Sequence, residues 1–498
     1  MEHTRDILDY HIAIIGGGPS GLAAAIRFKQ QDTENKYSVC VVEKSAEIGG
    51  HTLAGAVFEP RALDELLPDW RSEKGFTFTP VQKDSFNFYT KNKAIKLPTP
   101  PQMHNKGNGI ISLGQLCKWL AEKAEALGVD VLPGFAAQSA LTEDKSVYGV
   151  RTGDFGVAKD GSKTDGYTPG PDIHARITLF SEGCRGHITK SLVLPFKLSA
   201  GRCPQTYAQG LKEVWRIKEE HHQEGLVEHT IGFPLDSKTY GGGWIYHMPD
   251  NKISIGFVVG LDYTDPNLMP TNLMQRFKEH PRVAKLLEGG ELLSAGGRSL
   301  YEGGIQSQYR LAVDGALFLG DAAGFLNVPK IKGIHTAMKS GMLAAEAAYG
   351  NLERGADLHH YTKAARESWL GKELYKVRNI RPGFQKGMWL GLANAALETV
   401  SGGRAPWTLR HKKADWQTMR RLKKDEAKTP TPAFDAQNPH AHDRLTGVSL
   451  TNTAHDENQP AHLQVADPDI CINKCTKEYG NPCEKFCPAG VYEIIGKG

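Results

Sequence analysis

The 498-residue chain has no run of about 18 apolar residues, so no segment is expected to span a bilayer as a helix, and any contact with lipid must be made from the surface. Charge of one sign is scarce as well. The net charge is +4, which excludes the whole-molecule positive field on which nucleic-acid binders rely. Between Met1 and the apolar run beginning at His11 there is no room for the basic, apolar and cleavage regions of a leader. No signal or transit peptide is therefore read, and synthesis in the cytosol without export is expected. Cysteine is sparse along most of the chain, with Cys40, Cys117, Cys184 and Cys203 widely scattered. The other four of the eight, Cys471, Cys475, Cys483 and Cys487, fall within 17 residues and in a reducing compartment read as metal ligands rather than disulfides. At 40% hydrophobic and 23% charged residues the chain is neither disordered nor collagen-like. Its length suits two to four packed domains of roughly 100–200 residues each.

What is present begins with a strand, a glycine turn, a helix and a second strand. His11-Ile-Ala-Ile-Ile15 is a buried-type run, followed by Gly16-Gly-Gly-Pro-Ser-Gly21, the helix former Leu22 to Phe28, and a strand Ser38 to Val42 ending at Glu43. In Gly16-x-Gly18-x-x-Gly21 the first glycine makes the tight turn and the second lets the backbone approach a pyrophosphate. The third packs helix on strand, and the phosphate rests on the helix N-terminus. Glu43, 22 residues past Gly21 at a strand end, can accept hydrogen bonds from both hydroxyls of a ribose.

Further strands are read at Ala175–Phe180 and Ala316–Leu319, the latter running into Gly320-Asp321-Ala-Ala-Gly324, a turn that leads to a long helical pattern through His335–Glu346. A carboxylate at Asp321, with the turn glycines Gly320 and Gly324, can hold ribityl hydroxyls while a helix N-terminus favours negative charge on a reduced flavin ring. A nicotinamide cofactor would not need this second, distant contact, so the pair of motifs favours FAD. No second complete GxGxxG is seen for NAD(P)H, and electrons are expected from a protein or a directly bound substrate. One nucleotide-binding domain is thus assembled from distant segments. Residues 60–105 and 190–300, rich in β-branched and aromatic residues with turns such as Tyr240-Gly-Gly-Gly243, fit an inserted β-rich domain. From Arg404 to Lys428 nine Lys/Arg stand against Asp415, Asp425 and Glu426, a local net of +6; a proline- and histidine-rich linker and the cysteine segment follow.

Several stretches resemble one family, electron transfer flavoprotein:ubiquinone oxidoreductase (electron-transferring-flavoprotein dehydrogenase), over nearly the whole length. They are Val42–Gly55, Pro204–Tyr207, Thr239–Gly242, Gly256–Tyr263, Gly324–Gly333, Lys372–Pro382, Pro406–Leu409 and Phe486–Glu493. The run Asn327-Val-Pro-Lys-Ile-Lys-Gly333 and the Cys487 segment are specific to that family among flavoproteins. The resemblance implies an α/β fold (α+β overall) in three parts. A discontinuous Rossmann-like FAD domain occupies 1–60, 105–190 and 300–403, and a β-rich quinone domain 60–105 and 190–300. A basic linker and a ferredoxin-like iron–sulfur domain occupy 404–498. It implies electron transfer from reduced electron transfer flavoprotein to membrane ubiquinone, with the FAD fingerprint on Gly16, Gly18 and Gly21 and a quinone-contacting pair on Gly241 and Gly242. Bare backbone at that pair would let an N–H approach a quinone carbonyl.

The quinone tail stays in the bilayer, so a peripheral, monotopic seat on the cytoplasmic face of a bacterial inner membrane is expected. Two apolar stripes are candidates for it. One is Ile48–Asp69, with Leu53, Val57, Phe58, Leu63 and Leu66; the other is Gly383–Val400, with Trp389, Leu390 and Leu397 beside the basic run.

The tail reads Cys471-x3-Cys475-x7-Cys483-x3-Cys487-Pro488, and its final Cys-x3-Cys-Pro matches the end of the bacterial ferredoxin run. In the family the cysteine aligned with Cys487 takes three partners from a later Cys-x2-Cys-x2-Cys, which does not occur before Gly498. Three readings stand at this point: a truncated chain, completion by a ferredoxin-like subunit, or a cluster or zinc held by the four local cysteines. The expectation is little [4Fe–4S] cluster on this chain alone. Two other functions compete with the leading one: a flavoprotein reductase or monooxygenase of the isoprenoid-reductase kind, and a flavin-binding scaffold that docks a ferredoxin.

Overall fold

The computed structural model describes residues 4–495 except 53, 427, 452 and 454–456. Leu53 of the first apolar stripe and Gly498 lie outside the described residues. Among the described residues the strands form an eight-stranded, a seven-stranded, a three-stranded and a two-stranded sheet.

The eight-stranded sheet carries the dinucleotide fold. Strand Ile7–Ile15 is flanked in parallel by Val39–Glu43 on one side and Asp172–Phe180 on the other, so it is a central strand of a parallel sheet, the kind whose two faces are both covered. That is why Ile12, Ala13, Ile14 and Ile15 form a continuous buried run with no alternation. The order of strands reverses at Ile7–Ile15, and the crevice outside its carboxyl end, at Gly16, is where doubly wound sheets bind ligands. Helix Pro19–Gln31 packs on helix Ile334–Arg354 through small residues. A Cβ at Gly341 would overlap the Ser20 carbonyl oxygen, so only glycine lets the two helices approach this closely.

The long helix begins ten residues after the turn expected to open it. Gly320–Ala322 is a single 3-10 turn, and the helix starts at Ile334 behind Gly333. The family-specific run fills the interval as a tight loop closed by an Asn327–Lys332 bridge.

The seven-stranded sheet orders its strands as 291–301, 207–216, 252–260, 241–247, 226–232, 83–89 and 94–97, so segments about 130 residues apart share one sheet. Neighbours are antiparallel except Lys83–Tyr89 with Leu226–Gly232. Gly241–Gly243, read from sequence as a turn, opens strand Gly241–His247 in the interior of this sheet. A Cβ at Gly241 would overlap the Val258 carbonyl oxygen, and one at Gly242 the Thr230 carbonyl oxygen. The glycines are needed because neighbouring strands pass so close.

Buried polar contacts fasten the C-terminal region to the seven-stranded sheet. Glu213 and Lys278 form a buried pair at 3.0 Å, and His442 from the linker reaches the same carboxylate at 2.8 Å. Lys485, inside the cysteine segment, donates to Asn267 Oδ1 at 2.6 Å. Asp415 accepts from Tyr207 N at 2.8 Å, but burial, reinforced by the charges of Asp262 and Glu302, outweighs that bond and lifts its carboxyl from 3.8 to about 7. The folded protein therefore binds this proton more tightly than the unfolded chain. The stability it contributes is complete below about pH 4 and is lost as pH rises through about 7. Stability across that window should fall by about 4 kcal/mol, and Asp415→Asn should flatten the profile. An unchanged slope in the variant would assign the pH dependence elsewhere.

Candidate functional site

A cavity of about 1000 Å³ joins the two large sheets. Its walls include Gly16, Gly18 and Glu43 at one end, Asp321 in the middle, and Gly241 and Gly242 with His229 at the other.

At the dinucleotide end, Gly16 has φ +111°, and a Cβ there would be 2.5 Å from the Ser181 carbonyl oxygen. Gly21 is closed too, against the Gly16 carbonyl, whereas nothing lies within 4 Å of a Cβ at Gly18. The three glycines therefore differ in role: two are required by the fold itself, and the third leaves empty space at the N-terminus of helix Pro19–Gln31. Glu43 accepts from Gly17 N and Ser45 N, each at 2.9 Å, one per carboxylate oxygen. That orients the group at the strand end and leaves each oxygen a lone pair for hydroxyls. Asp321 is partly exposed, but its Oδ1 is shielded from solvent and has no hydrogen-bond partner among the described residues. Burial raises its carboxyl, with the Arg298 guanidinium opposing. An orphaned acceptor on the cavity wall and open space at Gly18 are what a polyhydroxylated dinucleotide would fill, so the residues present fit FAD. Gly320 and Gly324 lie beside Asp321 at φ +56° and +87° and give the turn its shape.

At the other end, the structure brings together groups the sequence did not single out. His229 Nε2 lies 2.8 Å from the Tyr246 hydroxyl, both buried. Lys212 donates to the carbonyls of Ala54 and Gly55 at 3.3 and 3.2 Å, and burial lowers its amine to about 8. Arg381 crosses from the helical region to donate to Glu302 at 2.8 Å and Asp262 at 3.0 Å, with its guanidinium 3.9 Å from the Tyr240 ring centroid. Isolated lysines and histidines in β-rich sequence carry no signal of such convergence. Only the family-specific run Asn327–Gly333 hinted that this loop mattered.

Of the two apolar stripes, one is misread. Phe58, Leu63 and Leu66 are at most 1% exposed and belong to the core of the dinucleotide domain, because they face the helices packed there. In the other, helix Met388–Val400 leaves Trp389 64%, Leu390 60% and Val400 89% exposed, while Met388, Leu392 and Ala395 line the cavity. No helix among the described residues is long and apolar enough to cross a membrane.

In the tail, the thiols of Cys475 and Cys483 are held above their ordinary range mainly by burial, and the nearby Cys471 adds to this. Among the described residues no three of the four cysteine sulfurs lie within 4.8 Å of one another. A four-thiolate zinc cage, which needs sulfurs about 3.8 Å apart, is thus not assembled. Free, partly buried thiols are nevertheless the donor type an iron–sulfur cluster takes.

Three family descriptions match: "ETF-QO, ubiquinone-binding" over residues 207–300, "Electron transfer flavoprotein-ubiquinone oxidoreductase, 4Fe-4S" over 439–498, and "NAD(P)-binding Rossmann-like domain" over 14–68. The mitochondrial electron transfer flavoprotein-ubiquinone oxidoreductase of Arabidopsis thaliana is 47% identical, over 99% of this chain and 78% of its own length. The chain belongs to the electron transfer flavoprotein-ubiquinone oxidoreductase family. The Pseudomonas aeruginosa member is 43% identical over 99% of this chain and 91% of its own. Among solved structures, a geranylgeranyl bacteriochlorophyll reductase-like protein from Thermoplasma acidophilum aligns with TM-score 0.57 at 16% identity, covering 96% of this chain and 98% of that one. A flavin-dependent brominase aligns with TM-score 0.53 at 17% identity over 82% and 97%. At such identities these two show the shared flavoprotein fold alone.

Proposed function

We propose that this electron transfer flavoprotein-ubiquinone oxidoreductase family member takes electrons from reduced electron transfer flavoprotein and, by way of FAD, passes them to ubiquinone drawn from a membrane. The observation that carries the reading is the continuity of one cavity from the Gly16–Gly18 turn to Gly241–Gly243 and on to the inner face of helix Met388–Val400. FAD, when bound, accepts and releases the electrons. Gly18 and the N-terminus of helix Pro19–Gln31 would receive its pyrophosphate, Glu43 its ribose hydroxyls, and Asp321 its ribityl chain. Gly241 and Gly242 would face the quinone head. Their glycine requirement is met by strand packing, so Gly242→Val would disturb the Thr230 pairing before it blocked the cavity. Cys487 and its three neighbouring cysteines offer thiolates for the 4Fe-4S segment.

Helix Met388–Val400 gives the quinone an apolar path, because it presents apolar side chains both to the cavity and to the outside. The Arg404–Lys428 run beside it adds attraction to anionic lipid, on the order of 1 kcal/mol per cation near the surface. This supports a monotopic seat, placed on the cytoplasmic face if the protein is bacterial. Binding to anionic liposomes should weaken as salt rises without vanishing, and Trp389→Ser with Leu390→Ser should remove the salt-resistant part. Co-sedimentation unaffected by the double substitution would refute this anchor.

The function is tested by reoxidation of the dithionite-reduced enzyme with a short-chain ubiquinone. No reoxidation, together with rapid NADPH oxidation, would overturn it. Iron counts and EPR of the reduced protein, with and without a ferredoxin-like polypeptide, decide the source of the cluster ligands. About four irons per chain without the polypeptide would remove any need for it.

A further inference from the structure

Lys332 lines the quinone end of the cavity and is 4% exposed. Two other buried lysines are matched by carboxylates: Lys278 has Glu213, and Lys29 has Asp32. Lys332 has no such carboxylate among the described residues. Its one side-chain hydrogen bond among the described residues runs from Nζ to the Lys330 carbonyl at 3.1 Å, leaving the other N–H bonds of the ammonium unused. Charged groups approach it from several elements: Glu59 beyond strand Ala54–Phe58, Asp84 on strand Lys83–Tyr89, Glu373 on helix Trp369–Lys376, and Lys330 in its own loop. On the cavity side it acts electrostatically on His229, the partner of Tyr246.

Behind Lys332, toward solvent, stand partly exposed carboxylates. Lys330 pairs with Glu59 and, at 3.4 Å, with Glu373, and the buried His335 meets Glu373 at 2.8 Å. Glu59, His335 and Glu373 converge within 4.8 Å. The cluster could suggest a cation site, but the Lys330 ammonium already occupies its centre of charge. It reads better as a relay for protons between water and the cavity.

We propose, resting on the quinone-reductase reading above, that Lys332 Nζ is the proton donor for quinone reduction, recharged through the Glu59–Lys330–Glu373 cluster, with His229 and Tyr246 carrying the proton to the far oxygen. The half-reaction takes two electrons, which the enzyme's donor supplies, and two protons, one for each carbonyl oxygen. In each transfer an N–H bond of Lys332 breaks and an O–H bond forms, and the amine regains a proton from water before the next. For the far oxygen, His229 accepts on one ring nitrogen as its Nε2–H passes to Tyr246, whose O–H is handed on. Titration supports this assignment. Burial, then the like charge of Lys330, lowers the Lys332 amine to about 8, where it is mostly protonated at neutral pH and still able to release its proton. Burial and the Lys332 charge hold His229 at about 3, so the imidazole stays neutral and no imidazolium traps the proton.

The test compares two acceptors. Lys332→Met should cut reduction of a short-chain ubiquinone by about 10²–10⁴-fold, while reduction of ferricenium, which takes electrons without protons, stays at the wild-type rate. Wild-type quinone reduction should decline as pH rises through about 8, and that limb should vanish in the variant. Lys332→Arg keeps the charge and holds its proton too tightly to release it, so it should also lose the quinone rate; it serves if the Met variant does not fold. Independently of turnover, competitive reductive methylation followed by mass spectrometry should titrate Lys332 near 8, well below surface lysines. Equal losses with both acceptors, an unaltered pH limb in either variant, or ordinary methylation behaviour would overturn the proposal. If wild-type protein itself fails to reduce ubiquinone, the functional reading falls instead, while the methylation result still reports on Lys332.

Discussion

Gly18→Val is expected to yield a folded protein that purifies without flavin. The backbone at Gly18 is φ −86°, ψ −179°, open to any L residue, and no atom stands within 4 Å of a new Cβ. The fold therefore tolerates the side chain, which projects into the space where the pyrophosphate would rest against the helix N-terminus. Losing those phosphate contacts should abolish stoichiometric binding. Gly21→Val is the contrasting case. Its Cβ would overlap the Gly16 carbonyl and sit 3.0 Å from the Ile14 side chain, so expression itself should suffer. Circular dichroism separates the two outcomes, and absorbance near 450 nm reports the flavin. A yellow Gly18→Val protein with one flavin per chain would move the dinucleotide away from this turn.

The largest loss of stability is expected from Arg381→Met. Arg381 is 2% exposed and compensates two carboxylates at once, Glu302 and Asp262, while lying over Tyr240 next to Gly241. Removing one partner of a buried pair leaves an uncompensated charge, typically at about 3–5 kcal/mol. Burial already pushes Glu302 upward against the pull of Arg381, so in the variant Glu302 should take up a proton. Chemical denaturation should show the loss, and adding Glu302→Gln should recover part of it by removing the stranded carboxylate. Stability within about 1 kcal/mol of wild type would mean that water or a shifted side chain replaces the guanidinium.

Much of this architecture was legible in the residues. The apolar run His11–Ile15, the glycine spacing and Glu43 placed the first βαβ unit. The reason is local: a tight turn, a close phosphate approach and a doubly covered strand each restrict residue type over a few positions. The apolar stripe Gly383–Val400 was also read, and helix Met388–Val400 lies within it, because its apolar residues outnumber what one buried face needs. The matching stripe at Ile48–Asp69 was misjudged, since a core-facing strand and helix have the same composition as a membrane-facing one. Gly241–Gly243 looked like a turn because glycine clusters usually are turns, and nothing in the sequence reveals that two neighbouring strands crowd it.

What the sequence by itself determined, then, is the chemistry that depends on local spacing: a dinucleotide turn, a thiol-bearing tail, a basic stretch beside an apolar helix. The tertiary structure alone decided which distant residues meet. It brought Lys332, His229 and Tyr246 from three segments to the cavity, and among the described residues gave Lys332 no carboxylate of its own. It set Arg381 against Glu302 and Asp262, and joined strands 83–97 and 207–301 into one sheet. Burial and charge pairing depend on the whole chain packing at once, so an isolated lysine or arginine reads alike in sequence whether it ends in solvent or in the core.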